Sequence, residues 1–322
     1  MIGVLWSLVM AAFFGFSQLA SRKGLMDIAV DQGTFIMIVI STILMSGPFF
    51  WLDGPTLVLQ ADTIGLSYFV AAGLIHFVGG FTLMNMSISA IGAARTSSLL
   101  ATTPLFATLL AAFTLNELIN APLIVGVVVV MVGVHWIASS RNPEATSKST
   151  LQSQVDAPAS ATTGFVANSL GILNVAGTST FGLLAALSWG ITPVLIKKGL
   201  ESLPSPLVGL TLAMAGAGVV YAVILGTRGR LMPVFSSLRD SGGLWQMVAG
   251  TLISLGTLCR WVALSFTTAA IVTTLSRASL LITVGLGGTL LGRDLEPVTS
   301  RVRWGALLIV IGATIVALFG RT

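Results

Sequence analysis

Charged residues are scarce in this sequence. Asp, Glu, Lys and Arg make up 8% of its 322 residues, whereas 55% are hydrophobic. A soluble domain carries about 25% charged residues, and the mean hydropathy here is +0.97. This deficit excludes an ordinary soluble protein and predicts an integral membrane protein.

Cysteine and histidine are almost absent. Cys259 is the single cysteine, which excludes an internal disulfide and a cysteine-rich metal site. The two histidines and the lack of any P-loop, dinucleotide fingerprint, zinc-ligand cluster or nucleophile–base motif leave few candidates for an intramembrane enzyme. We therefore expect no cofactor and no metal. The net charge of +5 is attributed to cytoplasmic loops, not to a nucleic-acid partner.

Acidic residues are few and peripheral. All eleven fall in loops or at the ends of apolar stretches. Proton relays and cation sites inside membranes usually need a buried carboxylate. The peripheral position of the acidic residues disfavours exchange of cationic drugs for protons. It also predicts that no membrane-embedded acid couples the protein to a proton gradient.

Long apolar stretches dominate the rest of the chain. A membrane-crossing helix needs about 20 mainly apolar residues, and ten stretches qualify: 2–21, 34–52, 64–88, 94–115, 119–139, 180–197, 206–226, 244–266, 269–291 and 303–320. The Ser-, Thr-, Ala- and Pro-rich residues 141–178 separate the fifth span from the sixth and are typical of a flexible linker.

The two halves of the chain resemble each other. "AFFGFSQLASRKGL" (12–25) aligns without a gap with "LSWGITPVLIKKGL" (187–200), and "SISAIGAARTSSLLATTPLF" (87–106) aligns with "ALSFTTAAIVTTLSRASLLI" (263–282). Because each half has five spans, an odd number, the second half enters the membrane inverted. Inverted repeats build many secondary transporters, with the substrate site near the midplane where the repeats meet.

The repeats resemble a known family. A glycine in the first span, the segment "TTPLFATLLAAFTLNE" and a Gly-rich closing span are similar to the EamA repeat of the drug/metabolite transporter superfamily. Pro104 and Glu117 match the family's Pro and its Gly-Glu pair, with Asn116 replacing the Gly. In the second half Leu280 replaces the Pro, and "GRD" (292–294) stands where Gly-Glu is expected.

The resemblance covers residues 1–140 and 179–322 and omits the linker 141–178. It implies an all-α integral membrane protein of ten transmembrane helices, arranged as two inverted five-helix EamA repeats in a cell membrane. It also implies transport activity, but members carry such varied solutes that no substrate follows from it.

Two arginines lie inside apolar spans. Arg260 and Arg277 flank a turn near residues 267–268, so at 1.5 Å per residue each lies roughly 12–14 Å from it. That depth is near the centre of a hydrocarbon core about 30 Å thick. An intramembrane cation without an acidic partner indicates a functional site, here one that recognises a carboxylate or phosphate. The alternative is that the arginines bind exposed carbonyls or stack on Trp261.

The repeat relation adds further candidates at this depth. Asn85 and its counterpart Trp261 are substrate-binding candidates, and so are Thr102 and Thr103 at the same level, although threonine hydroxyls often bond to their own helix. Secondary substrate-binding candidates are Ser17, Gln18, Trp189 and Thr192.

Helix breaks and a gate are predicted as well. Gly15, Gly190 and Pro193 are candidates for a hinge or helix break beside the site, or else the glycines only allow close helix packing. His76 lies about 25 Å from its turn, so it is predicted near the opposite interface as a gate residue.

These features predict a secondary transporter that moves a small polar metabolite by alternating access. The expected substrate carries a carboxylate or phosphate, such as an amino acid or organic acid, and the expected partners are that solute and the lipid bilayer. The alternatives are an exporter of neutral or cationic metabolites or drugs, and an intramembrane enzyme. A passive scaffold would not need polar residues at matched depth in two repeats.

The loop charges predict an orientation. Loops after odd-numbered spans contain eleven basic residues, against three on the other side, so the positive-inside rule places the odd loops in the cytoplasm and both termini outside. The family usually places both termini inside. We expect a C-terminal reporter that works only in the cytoplasm to be inactive; an active fusion contradicts the charge count.

Overall fold

The computed structural model describes residues 1–52, 54–84, 87, 99–100, 102–139, 180–279, 281–282, 286 and 300–319. Within these ranges the chain forms helices joined by short turns, and no strand occurs among the described residues. The predicted linker 141–178 and Asn85 lie outside them.

The described helices follow the apolar stretches of the sequence. They are α1 (Ile2–Gly24), α2 (Val30–Trp51), α3 (Gly54–Gln60), α4 (Thr63–Gly73), α5 (Thr103–Leu115), α6 (Ala121–Ser139), α7 (Thr180–Ser202), α8 (Pro206–Thr227), α9 (Leu231–Ser237), α10 (Ser241–Phe266), α11 (Ala269–Leu275) and α12 (Ser300–Phe319).

Among the described residues, six helices are long and apolar enough to cross a membrane: α1, α2, α4 with its continuation to Met84, α7, α8 and α10. Three shorter apolar helices are α5, α6 and α12. The prediction of an all-α, multi-pass membrane protein is confirmed. Ten spans remain a prediction, because parts of the third, fourth and ninth apolar stretches are not described.

Several turns are built by local polar groups. The Ser205 hydroxyl accepts the Val208 N–H at the start of α8, where Pro206 occupies the first helical position. The Thr268 hydroxyl accepts the Ile271 N–H at the start of α11. Such N-caps satisfy amides that have no partner within the helix. The cap at Thr268 allows α11 to begin after only two residues that follow the end of α10.

The two halves of the chain interlock. Helix α1 packs along α10, and α7 packs along α4. A Cβ added at Gly15 would lie 2.7 Å from the Ile282 Cβ, and one added at Gly190 would lie 2.6 Å from the Phe106 Cβ. Positions 106 and 282 are equivalent in the repeat alignment. The first span of each half therefore packs against the fourth span of the other half.

The predicted helix breaks do not occur, whereas a hinge at these residues stays a prediction. Helices α1 and α7 continue through Gly15, Gly190 and Pro193 without interruption, and the two glycines allow close approach of neighbouring helices, as small residues do in membranes. Departures from α-helical geometry occur elsewhere. Helix α4 continues as a π-helix over Leu74–Gly80, and α11 continues as a 3₁₀ turn over Ser276–Ala278.

Glycines also bring α6 and α12 together as an antiparallel pair. A Cβ added at Gly312 would lie 2.7 Å from the Gly126 carbonyl oxygen, and one added at Gly133 would lie 2.7 Å from the Gly305 carbonyl oxygen. Both distances are too short for a real contact. The main chains of these two helices therefore touch at two levels.

We expect Gly312→Ala to lower the free energy of unfolding by about 1–2 kcal/mol, as overpacking does in a closely packed core, because the obstructing atom belongs to a rigid backbone. Gly47→Ala is the matched control: it is also inside a helix, but an added Cβ meets nothing within 4 Å. Thermal denaturation in detergent compares the two. Equal melting temperatures would contradict the close crossing.

Candidate functional site

Two arginines occupy the middle of the helical assembly. Arg260 lies near the end of α10 and is 8% exposed, and Arg277 lies in the 3₁₀ turn that follows α11. The two residues lie on opposite arms of the α10–α11 hairpin, and together they form what we call the arginine cluster.

Neither arginine is neutralised by the described part of the chain. The ion pairs found there are Lys197–Glu117, Lys198–Glu201 and Arg230–Asp31, and none of them involves Arg260 or Arg277. Within the described part of the chain, the Nε of Arg277 is buried and has no hydrogen-bond partner. A buried donor without a partner costs about 1–3 kcal/mol, so an anion that accepts from it would stabilise this arrangement.

His76 joins the cluster from the π-helical segment. Its Nδ1 lies 3.4 Å from the Thr192 Oγ1, and Arg260 acts on it electrostatically. The Thr192 hydroxyl already donates to the Ser188 carbonyl oxygen at 2.8 Å. Because a hydroxyl carries one hydrogen, a hydrogen bond between the two side chains would require the tautomer in which Nδ1 carries the proton.

The predicted position of His76 near the opposite interface is wrong. The sequence estimate counted residues from the turn after this span, but the helix begins at Thr63, and His76 lies about midway along residues 63–84. Its partner Thr192 lies in the middle of α7. His76 therefore lies near the middle of its span, and a role as gate stays a prediction.

An aromatic wall stands beside His76. The Trp189 Nε1 donates to the His76 carbonyl oxygen at 3.3 Å, and the Trp189 ring centroid lies 5.8 Å from those of both His76 and Phe81. Phe77 and Phe81 stack at 6.2 Å with an interplanar angle of 7°. The indole approaches α4 where Gly80 has no side chain. The π-helical segment thus presents a ring surface next to the cationic cluster.

Other predicted residues make contacts within the protein, and their role in substrate binding stays a prediction. The Trp261 ring packs against Phe69 in the core, with centroids 5.3 Å apart. The Ser17 hydroxyl donates to the Ala249 carbonyl oxygen at 2.9 Å and ties α1 to α10. Gln18 is exposed on α1.

The two threonines of the first repeat bond to their own helix. The Thr102 hydroxyl donates to the Leu99 carbonyl oxygen at 2.6 Å, and the Thr103 hydroxyl donates to the Leu100 carbonyl oxygen at 2.7 Å. This is the back-bonding that hydroxyl side chains commonly make in helices. It leaves them only their remaining acceptor capacity for a ligand.

A second polar cluster lies at one end of the helical assembly. The Glu117 carboxylate accepts from the Lys197 Nζ at 2.6 Å and, through both oxygens, from the Ala269 N–H at 3.1 Å. Glu117 follows α5, Lys197 lies near the end of α7, and Ala269 begins α11. At the N-terminus of α11 the helix dipole favours an anion, so Glu117 joins three helices from both halves.

The family of the chain follows from comparison with known proteins. A model of the EamA-like transporter family matches residues 1–139 and 178–318, which are the two halves on either side of the linker. The chain belongs to the EamA-like transporter family. It is therefore a membrane transporter, as the sequence resemblance implied, and the family assignment is confirmed.

Solved structures agree with this EamA-like fold. Twenty-five chains match significantly. One of them, described only as "Crystal structure of protein", superposes with a TM-score of 0.70 over 98% of this chain and 96% of that chain, at 12% sequence identity. That likeness concerns the fold alone. No curated protein matches the chain significantly.

Phe77, Phe81 and the partners of Glu117 are features of this EamA-like transporter that the sequence interpretation missed. The available signal for the aromatic wall was "HFVGGF" (76–81), in which two phenylalanines four residues apart share a helix face beside a histidine. Phenylalanine is also an ordinary lipid-facing or core residue, so the pattern alone does not single it out. For Glu117 the local sequence shows neither partner.

Proposed function

We propose that this EamA-like transporter carries a small organic anion whose carboxylate or phosphate binds between Arg260 and Arg277. The observation that supports this most strongly is the buried, unpartnered Nε of Arg277. A guanidinium presents a planar fork of donors that matches a carboxylate or phosphate. An anion at this position would complete the hydrogen bonding of the Arg277 side chain and offset the repulsion between the two arginines.

The surroundings of the cluster favour an anion over a cation. Each described carboxylate lies in a loop or in an end turn of a helix, at residues 27, 31, 62, 117, 201 and 240, so a cationic solute would meet only like charge at this depth. Like charges brought together in a low-dielectric site repel strongly. The rings of Trp189 and Phe81 would pack against the less polar part of the substrate.

Alternating access is the mechanism that we propose for this fold. Transporters built from inverted repeats expose a fixed midplane site to each side in turn by moving one repeat against the other. The contacts of Glu117 with Lys197 and Ala269 cross between the repeats at one end of the molecule. They suit a gate that is closed when formed and opens when broken.

Ligand-induced thermal stabilisation tests the substrate class. Purified protein is heated with small carboxylates, phosphate esters, organic ammonium ions and neutral sugars at constant ionic strength, because a ligand that binds only the folded state raises the melting temperature. We expect stabilisation by anions, followed by counterflow of the best of them in proteoliposomes. Stabilisation by ammonium ions alone would overturn the anion proposal while leaving the family assignment intact.

Two adjacent glycines provide a test of the aromatic wall. In Gly80→Ala the added Cβ would collide with the Trp189 indole, so the ring must move out of the wall. We expect affinity for the stabilising anion to fall about three- to tenfold, which corresponds to roughly 1 kcal/mol of lost ring contact. Unchanged affinity would exclude Trp189 from the site.

Gly79→Ala is the control for this substitution. It adds the same methyl group to the same π-helical segment, but the nearest atom to its Cβ, the Leu74 carbonyl oxygen, lies at 3.7 Å, which is an ordinary contact. Isothermal titration of both variants separates displacement of the indole from a general effect on the segment. Equal losses in the two variants would point to the segment.

A further inference from the structure

A cavity lies between the C-terminal part of α6 and the N-terminal part of α12, and none of its lining residues belongs to the arginine cluster. It has a volume of about 480 Å³ and is lined by His135, Trp136, Ser300, Arg301 and Trp304. Its two walls come from the fifth and tenth spans, whose glycines cross in close contact deeper in the membrane.

The depth of this cavity follows from the sequence around its two helices. The apolar stretch of α6 is followed by Arg141, and that of α12 is preceded by Arg301 and Arg303, so the lining residues lie close to the point where each span leaves the hydrocarbon. Trp136 and Trp304 are 44% and 60% exposed. Tryptophan favours this interfacial level, where its ring contacts both acyl chains and headgroups. A lipid molecule can therefore reach the cavity from the bilayer.

We propose that this cavity binds the phosphodiester headgroup of an anionic glycerophospholipid. Arg301 can donate two parallel hydrogen bonds to a phosphate, and the Ser300 hydroxyl and the His135 imidazole are further polar groups of the lining. The two tryptophan rings would contact the glycerol region and the start of the acyl chains. The inference is independent of the substrate proposed for the central site.

The charges of the lining residues select among lipids. None of the five lining side chains is acidic, and Arg301 would lie beside the headgroup. A zwitterionic choline headgroup would bring a second cation next to that guanidinium, whereas phosphatidylglycerol adds only neutral hydroxyls. Basic residues at the membrane surface attract anionic lipid headgroups by about 1 kcal/mol each.

Native mass spectrometry of the full-length protein in detergent tests this proposal. The protein is titrated with phosphatidylglycerol, with phosphatidylcholine of the same acyl chains, and with inorganic phosphate. We expect tighter binding of phosphatidylglycerol than of phosphatidylcholine, and about fivefold weaker phosphatidylglycerol binding in Arg301→Gln, as the loss of one basic contact predicts. Trp304→Leu should also weaken binding of phosphatidylglycerol.

Arg303→Gln is the matched control, because Arg303 is exposed on the same turn of α12 but does not line the cavity. We expect it to bind phosphatidylglycerol like the unmodified protein. Equal affinity for the two lipids, full phosphatidylglycerol binding by both Arg301→Gln and Trp304→Leu, or an equal loss in Arg303→Gln would each overturn the proposal. Competition by millimolar inorganic phosphate would instead indicate a site for soluble phosphate and would overturn the lipid assignment.

Discussion

Replacing Arg277 with alanine is expected to reduce transport of the anionic substrate at least about 100-fold while the protein remains folded. The substitution removes a guanidinium whose Nε is buried and unpartnered in the described structure. Each charged hydrogen bond contributes roughly 1.5–3 kcal/mol. Two such bonds from Arg277 to the same substrate group would account for a loss of transport of about 100-fold. Counterflow in proteoliposomes and ligand-induced thermal shifts measure the effect.

The stability of the same variant separates a binding role from a structural one. An uncompensated charge near the membrane centre costs at least ~2.5 kcal/mol, so we expect Arg277→Ala to melt at the same temperature as the unmodified protein or higher when no ligand is present. Lower stability with unchanged ligand affinity would show that Arg277 supports the fold, and the anion proposal would then fail for this residue.

Conservative and neighbouring substitutions refine the result. Arg277→Lys should restore activity only in part, because an ammonium cannot reproduce the planar fork of a guanidinium. Arg260→Ala should resemble Arg277→Ala with a milder loss. Ser276→Ala is the control in the same 3₁₀ turn: its hydroxyl donates to the Thr273 carbonyl oxygen at 2.6 Å, and we expect it to transport normally.

Replacing Glu117 with alanine is expected to lower the free energy of unfolding by about 2–3 kcal/mol. Glu117 is only 10% exposed, and its loss leaves both the Lys197 ammonium and the Ala269 N–H without their acceptor, which is the costly way to break a charged hydrogen bond. Glu117→Gln retains an oxygen for the Ala269 N–H and should therefore lose less. Thermal denaturation of the two variants in detergent gives the order.

The neighbouring ion pair Lys198–Glu201 supplies the control. Its partners are three residues apart on α7, and their side chains are 35% and 60% exposed. Exposed pairs of this kind contribute less than about 1 kcal/mol, so Glu201→Ala should hardly change the melting temperature. A similar loss in both variants would show that charge near this end of the molecule matters in general, and that the contacts of Glu117 with Ala269 and Lys197 do not.

The parts of the fold that depend on local sequence were predictable. Apolar runs gave the helices, and the gapless match that pairs Gly15 with Gly190 gave the repeats. The nearness of Arg260 and Arg277 followed from helix rise alone, because the turn at residues 267–268 is short and lies between them. Each of these inferences uses residues close together in the chain.

The predictions that failed depend on which part of the protein packs against a residue. The glycines looked like breaks, but each faces a helix from the other half, as Gly190 faces Phe106. In a soluble helix the polar face reveals orientation, whereas here both the lipid and the protein interior are apolar. The local sequence therefore does not distinguish Trp261, which packs in the core, from Trp189, which lies beside His76.

Long-range polar contacts could not be predicted from the sequence either. The partners of Glu117 lie 80 and 152 residues further along the chain, and no motif connects them. The π-helical segment that contains His76 is a small departure from α geometry. Apart from its paired glycines, the sequence "LIHFVGG" (74–80) contains no pattern that predicts this departure. Such turns recur at functional sites, but only a structure reveals them.

The crossed packing of the repeats also has a consequence for biosynthesis. Because α1 lies along α10 and α7 lies along α4, the earliest spans to leave the ribosome have their main neighbours among the latest. Within the membrane the first five helices are individually stable but lack most of their final contacts until the second half has been inserted. Neither half is then a folding unit. Nascent chains are expected to stay loosely assembled until α10 arrives, and truncated products should be open to quality-control proteases.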